Sequence, residues 1–316
     1  MKILITGFSG FVSKHFVEHL YKGNIKTDIV GVDVNEPKFD ISCYRNSINI
    51  RYVTLNLLDQ DGVYNLIKNS KPDYILHLAS YSSVAYSWEN PIESFKNNTN
   101  IFLNLVSAVK DICPSCRILS VGSSEEYGKL DKEDIPIKER QSLNPVSPYA
   151  VARVSQELLS KVYVDSFNMN IIMTRSFNHI GPWQDERFVV PGFAKRILDI
   201  RRRGDHKGMI KTGDLSIIRD FVDVRDVVRA YWLLLTKGTN GEVYNICSGH
   251  GYKLEEIVAY LSEIIGVEVE TETVSEYVRP NDNPIIIGEN YKIYSEFGWK
   301  PTIDIKTSLQ DIVKEM

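Results

Sequence analysis

Apolar runs and amphipathic stretches alternate along the first half of the chain. Lys2–Thr6 (KILIT) is a short apolar run, and the residues behind it carry apolar positions at helical spacing up to Leu20. Comparable runs recur at residues 28–32, 51–57, 73–79, 117–121 and 171–175. Short runs that are apolar on both faces predict strands buried in a parallel sheet. The stretches 92–110 and 148–165 predict helices with an apolar face. Strands that alternate with helices in this way predict an α/β chain on a doubly wound parallel sheet. The pattern sets one domain at residues 1–175, with a returning segment at about 215–248, and a smaller C-terminal α/β domain at residues 176–214 and 249–316. No internal repeat or low-complexity linker interrupts it.

Composition excludes more than it assigns. A chain of 316 residues, 43% hydrophobic and 25% charged, has the make-up of a globular protein with a full core. A net charge of −4 leaves no electrostatic footprint for nucleic acid, and the basic run from Arg201 to Lys207 reads as a solvated helix end. No stretch approaches the ~18 apolar residues of a membrane span. The chain begins at once as a strand rather than a signal peptide, and its cysteine usage makes the cytoplasm the expected compartment. Of the four cysteines only Cys113 and Cys116 are paired by spacing. A zinc ribbon needs a second such pair, so no metal site is expected. His77, inside an apolar strand, reads as a packed core histidine.

The first strand runs directly into Gly7-Phe8-Ser9-Gly10-Phe11-Val12-Ser13 and then a helix. A glycine-rich turn at that place lets backbone amides and the helix amino terminus face a pyrophosphate, the mark of a Rossmann-type, NAD(P)-binding unit. Asp33 closes the second strand about twenty residues on, where a carboxylate meets ribose hydroxyls and repels a 2′-phosphate. NAD (NADH) is therefore the expected cofactor, with NADP less favoured.

Tyr149 and Arg153, in SPYAVAR, lie four residues apart on a predicted helix, so the phenol and a permanent cation share a face. A cation at close range favours the phenolate and brings a phenol towards useful acid–base chemistry. Ser123, at the carboxyl end of strand 117–121, can donate to a substrate oxygen as charge develops there.

These residues resemble the Ser, Tyr-x-x-x-Lys constellation of extended short-chain dehydrogenases, with arginine in the lysine position. The stretches VGSSEEYG, NPVSPYAVARVSQELL, TRSFNHIGP, IIRDFVDVRDVVRAYWLLL, EVYNICSG and RPNDNP narrow the resemblance. They are similar to the GDP-4-keto-6-deoxy-mannose reductases and the GDP-mannose 4,6-dehydratases, nearly end to end. The resemblance implies a catalytic set of Ser123, Tyr149 and Arg153, with Glu125 two residues beyond the serine. Gly7, Phe8, Ser9, Gly10, Phe11 and Val12 would line the pyrophosphate, and Asp33 and Asp59 the adenosine half. Leu78, Ala79 and Ser80 would meet the dinucleotide backbone, with Asn98 near it and Phe177 near nicotinamide. Ser124, Asn178, Val189, Lys195, Arg219 and Arg279 would hold the nucleotide sugar; the arginine fork suits a diphosphate. For Arg219 an ion pair with Asp220 or Asp223 is the alternative.

The reaction stays open among reduction or oxidation at C4 of a GDP-sugar, 4,6-dehydration and epimerisation. Glu125 occupies the place of a dehydratase base, yet the similar reductases also read SSEEYG. A non-catalytic dinucleotide-binding protein is the remote alternative, against which Tyr149 and Ser123 both stand. In the family that the chain resembles, the two long helices pair into a four-helix bundle, which implies a homodimer, with a tetramer as the alternative.

Overall fold

The structure, a computed structural model, describes residues 1–277 and 283–316. Its residues gather into two compact units, each made of three chain segments. The first comprises Met1–Lys129, Ser142–Ser176 and Val228–Tyr244; the second comprises Leu130–Gln141, Phe177–Val227 and Asn245–Met316.

In the first unit the chain runs β1 (Lys2–Thr6), α1 (Phe11–Lys22), β2 (Thr27–Asp33), β3 (Ile48–Thr54), α2 (Gln60–Ser70) and β4 (Tyr74–His77). It continues through α3 (Val84–Glu89), α4 (Pro91–Ile112), β5 (Arg117–Ser123), α5 (Pro148–Phe167) and β6 (Asn170–Ser176). Ile3, Leu4 and Ile5 of β1 are fully buried, as a strand covered on both faces requires. Phe16, Val17 and Leu20 form the buried stripe of α1. One face of the sheet packs against α2 and α4 through Leu4, Val32, Ile67, Ile75, Phe102 and Leu105.

The seven-stranded sheet has the order β10-β6-β5-β4-β1-β2-β3, with β10 at Val243–Ile246. Pairing is parallel from β3 through β6. The expected doubly wound sheet is present. From β1 the chain first winds outward to β3, then returns to β4 on the other flank. Ligands of such sheets bind outside the carboxyl ends at this reversal, where Thr6 is in register with Val32 and His77.

Element ends differ from the sequence expectation in one instructive place. The third strand is Ile48–Thr54, not residues 51–57. Leu55 and Leu57 are apolar because they pack on the core beyond the strand, and an apolar run alone does not tell a paired residue from a packed one.

The second unit holds β7 (Asn178–Ile180), α6 (Val189–Arg202), β8 (Lys207–Thr212) and β9 (Ile218–Asp223). Helix α7 (Val224–Lys237) leads back to the first unit. After β10 come β11 (Gly251–Lys253), α8 (Leu254–Ile265), β12 (Glu268–Thr273), β13 (Ile285–Ile286), α9 (Tyr291–Phe297) and α10 (Ile305–Lys314). Strand β9 pairs with β7, β11 and β13, while β8 and β12 form a separate ribbon. Phe193, Ile197, Phe221, Ile257, Leu261, Leu309 and Ile312 make its core. The basic run is a solvated end here: Arg203 pairs with Asp205 at 3.6 Å, and Lys207 with Glu268 at 3.0 Å and Glu270 at 2.9 Å. Among the described residues no helix is long and apolar enough to cross a membrane, and no cluster of side chains could hold a metal ion.

Candidate active site

Gly7 turns the chain from β1 into α1. Its φ of +70° is left-handed, and a Cβ there would lie 2.8 Å from the Ala79 nitrogen, so only glycine fits. The Gly10 amide donates to the Gly7 carbonyl at 3.1 Å, and Gly10 then caps α1, whose first residues are Phe11 and Val12. The amides of that first turn have no partner within the helix and face outward as donors. Ser13, the last residue of the glycine-rich run, is buried and donates its hydroxyl to the Gly7 carbonyl at 2.9 Å. Ser9 donates its amide and its hydroxyl to Asp33 Oδ2, at 3.0 and 2.7 Å. The end of β2 is thereby tied to the turn. Asp59 instead caps α2, accepting the Gly62 amide at 3.0 Å.

Across the reversal of strand order, Thr6 Oγ1 accepts the amides of Leu78 and Ala79, each at 3.1 Å. Its one proton is left for His77 Nδ1, 2.9 Å away. Burial, with the Arg153 charge adding to it, holds the His77 pKa down at about 3, so the ring is neutral. Beyond Ala79, the Ser80 hydroxyl oxygen is buried with no hydrogen-bond partner among the described residues. Asn98 clamps the next residue on both sides: its Oδ1 accepts the Tyr81 amide at 2.8 Å and its Nδ2 donates to the Tyr81 carbonyl at 3.1 Å.

Ser123 is the last residue of β5 and the cap of a single turn, Ser124–Tyr127. Its Oγ accepts the Glu125 amide at 3.3 Å, and its own amide donates to Glu126 Oε1 at 2.7 Å. Ser124 is buried and Glu125 half-buried.

Helix α5 starts at Ser147, whose hydroxyl accepts the Ala150 amide at 3.1 Å, and Pro148 occupies its first position. Tyr149, Arg153 and Gln156 follow at i, i+4 and i+7 on one face. All three are buried, at 6%, 5% and 1% exposure. Arg153 Nε donates to the Tyr149 hydroxyl oxygen at 3.2 Å. Its Nη1 donates to the Val121 carbonyl at 3.1 Å and to Gln156 Oε1 at 2.8 Å. Three of the five donors of the guanidinium are thus assigned; Nη2 makes no hydrogen bond to the described residues. Gln156 in turn donates to Ser120 Oγ at 2.9 Å and to the Val121 carbonyl at 3.2 Å. The expected phenol–cation pair is therefore formed, and a donor rests on the oxygen that would carry charge.

The remaining residues implied by the resemblance lie in the second unit. Phe177 is 3% exposed, its ring so close to Gly288 that a Cβ there would lie 2.6 Å from it. Asn178 opens β7, and Val189 opens α6 against the second core. Lys195 donates to both carboxylate oxygens of Asp199, at 2.6 and 2.7 Å. Arg219 is 7% exposed and donates from Nη1 to the carbonyls of Ile218 and Asn283, at 2.9 and 2.8 Å. Asp220 accepts from Ser248, Gly249 and Gly288, while Asp223 takes the Arg225 fork and the Ser308 hydroxyl. Arg279 lies outside the described residues.

The family model of the GDP-mannose 4,6 dehydratases matches residues 4–316. The chain belongs to that family. Among its relatives, the GDP-6-deoxy-D-mannose reductase of Pseudomonas aeruginosa is 31% identical over 99% of this chain and 96% of its own. The GDP-6-deoxy-D-talose 4-dehydrogenase of Aggregatibacter actinomycetemcomitans is 27% identical over 100% of this chain and 97% of its own. Among solved structures, RMD from Pseudomonas aeruginosa complexed with NADPH superposes with a TM-score of 0.84 at 30% identity, covering 99% of this chain and 98% of that one. Membership in the GDP-mannose 4,6 dehydratase family, matched from end to end, makes this chain an enzyme of the extended short-chain dehydrogenase type.

Three residues of this arrangement are absent from the sequence reading: Thr6, Glu126 and Gln156. For Gln156 a signal existed, since it continues the Tyr149/Arg153 face by one further turn. Glu126 carried one too, since Ser123 and Glu126 have the Ser-x-x-Glu spacing of a reciprocal cap; Thr6 carried none, because nothing in the order of residues shows a strand-end hydroxyl bridging to another strand.

Proposed function

We propose that this enzyme moves a hydride between NAD(H) and C4 of a GDP-linked deoxyhexose or heptose, as a reductase of the 4-keto sugar or a 4-dehydrogenase, in the making of activated sugars for surface polysaccharide. The observation that carries the reading is the Arg153 Nε bond to the Tyr149 hydroxyl, 3.2 Å long, on a helix beside Ser123. Two relatives named for GDP-6-deoxy sugars, one a reductase and one a 4-dehydrogenase, support the sugar class and the position.

Residues of the chain suit a nicotinamide dinucleotide. The glycine turn leaves room for a pyrophosphate against its amides, and the orphaned Ser80 hydroxyl supplies a buried polar contact. Asp33 retains acceptor capacity beyond its bonds to Ser9 and Asn35, and its charge disfavours a 2′-phosphate. Bound nicotinamide supplies or accepts the hydride. Ser123 has a hydroxyl proton with no acceptor among the described residues, and keeps it while hydrogen-bonding through it to the C4 oxygen. Tyr149 passes a proton to that oxygen or takes one from it. Arg153 stabilises the phenolate that results, through the donated bond and its charge. Arg219 and Arg279 would hold the diphosphate.

The test is turnover of GDP-6-deoxyhexoses and their 4-keto forms followed by NADH absorbance. Tyr149→Phe should lower kcat by about 100-fold or more, the usual worth of a positioned acid–base group. Full activity in Tyr149→Phe sinks the catalytic assignment. Glu125 favours a second reading, 4,6-dehydration, for which net loss of water without change in cofactor redox state is the signature.

A further inference from the structure

One buried carboxyl beside Ser123 has no part in the chemistry above. Glu126 is fully buried, and its side chain folds back beneath Gly122. A Cβ at Gly122 would stand 2.3 Å from Glu126 Oε1 and 2.5 Å from the Thr174 carbonyl, so the strand carries glycine where the carboxyl lies. Oε1 accepts the Ser123 amide at 2.7 Å, and Oε2 is buried with no hydrogen-bond partner among the described residues. Charged groups reach it from each neighbouring element: Arg153 and Glu157 from α5, and Arg175 from β6. Arg175 is itself committed to Glu157, with Nε and Nη2 each 2.8 Å from a carboxylate oxygen, and its guanidinium lies 4.7 Å from the centre of the Tyr127 ring.

A reciprocal cap of this kind is ordinary at a helix start. Here it starts only one turn, a small gain against the desolvation of a whole carboxyl with one oxygen unsatisfied. Its effect falls on Ser123, whose amide is held by Glu126 while its Oγ accepts the Glu125 amide.

We propose that Glu126 is the positioning residue of Ser123: its carboxyl fixes the serine peptide from beneath, so that the serine hydroxyl is kept as a donor to the substrate oxygen. The proposal rests on the oxidoreductase reading given above. Burial and the neighbouring Glu157 charge push the Glu126 pKa up from 4.5 to about 8. The side chain is therefore largely neutral at pH 7, and its ionisation places a second buried negative charge beside Glu157.

Three variants in the full-length enzyme test this: Glu126→Leu, Glu126→Gln and Ser123→Ala. Glu126→Leu removes the acceptor and should lower kcat by about 10-fold or more while KM and NADH affinity move by less than about threefold, the pattern of a lost transition-state contact. Glu126→Gln keeps an acceptor and should retain kcat within about threefold at pH 7. The parent ionises above about pH 8 and Glu126→Gln does not, so their kcat profiles should part only on the alkaline side. A Glu126→Leu protein with native circular dichroism, intact NADH affinity and kcat within about twofold of the parent overturns the proposal, as does a Glu126→Gln protein that is equally impaired. If Ser123→Ala is fully active, or the parent turns over no GDP-sugar, the functional reading fails instead. Amide exchange then decides the proposal: the Ser123 amide must lose protection in Glu126→Leu and keep it in Glu126→Gln.

Discussion

Arg153 stands where the resembling motif carries lysine, and its guanidinium makes three bonds that one ammonium cannot make in the same directions. The planar fork reaches the Tyr149 oxygen through Nε while Nη1 seats on the Val121 carbonyl and Gln156. Lysine at 153 keeps the charge and loses the fork. The expected outcome for Arg153→Lys is a stability loss of about 1–3 kcal/mol from the unpaired Gln156 oxygen, with kcat reduced by about 10-fold. Denaturant unfolding and turnover check the two parts separately. A variant equal to the parent in both would mean that the arginine is interchangeable here. Tyr149 and Arg153 were legible because a spacing of four on a helix is a geometric statement. Their pairing with Gln156 was not read, since a glutamine on a helix looks like surface until the packing of α5 on β5 buries it.

Helices α4 and α5 show how one element can serve two purposes. The face of α5 proposed for catalysis is buried and polar, with Tyr149, Arg153, Gln156 and Ser160, while Leu158, Val162 and Phe167 are 52%, 51% and 48% exposed. Ile92 on α4 is 84% exposed, and α4 meets α5 through the Ser107 and Tyr163 hydroxyls, 2.9 Å apart. Apolar side chains displayed along two adjacent helices fit the proposed four-helix homodimer. Leu158→Glu with Val162→Glu should halve the mass seen by analytical ultracentrifugation at micromolar protein. A parent that sediments as a monomer refutes the pairing. The apolar excess of these helices could be read from periodicity alone. The end of β3 could not, because Leu55 and Leu57 look like strand yet pack beyond it.

For the molecule as a whole, the parallel sheet was legible because the hydrophobic period switches from strand to helix and back several times in succession. The second unit was harder to read. Strands β7, β11 and β13 have only three, three and two residues, too short for any period to register. Cofactor preference is a property of the folded chain as a ligand-binding body: NADH should raise the melting temperature more than NADPH at equal concentration, since a ligand stabilises only the state that binds it. An equal or larger shift with NADPH would remove Asp33 as the discriminating charge. Both units are assembled from three segments, and the chain passes between them after residues 129, 141, 176, 227 and 244. No single cut in the coding sequence therefore releases either unit whole. A foreign C-terminal half joined after residue 176 would carry in its own counterpart of Val228–Tyr244, so such a chimaera would replace part of both units at once.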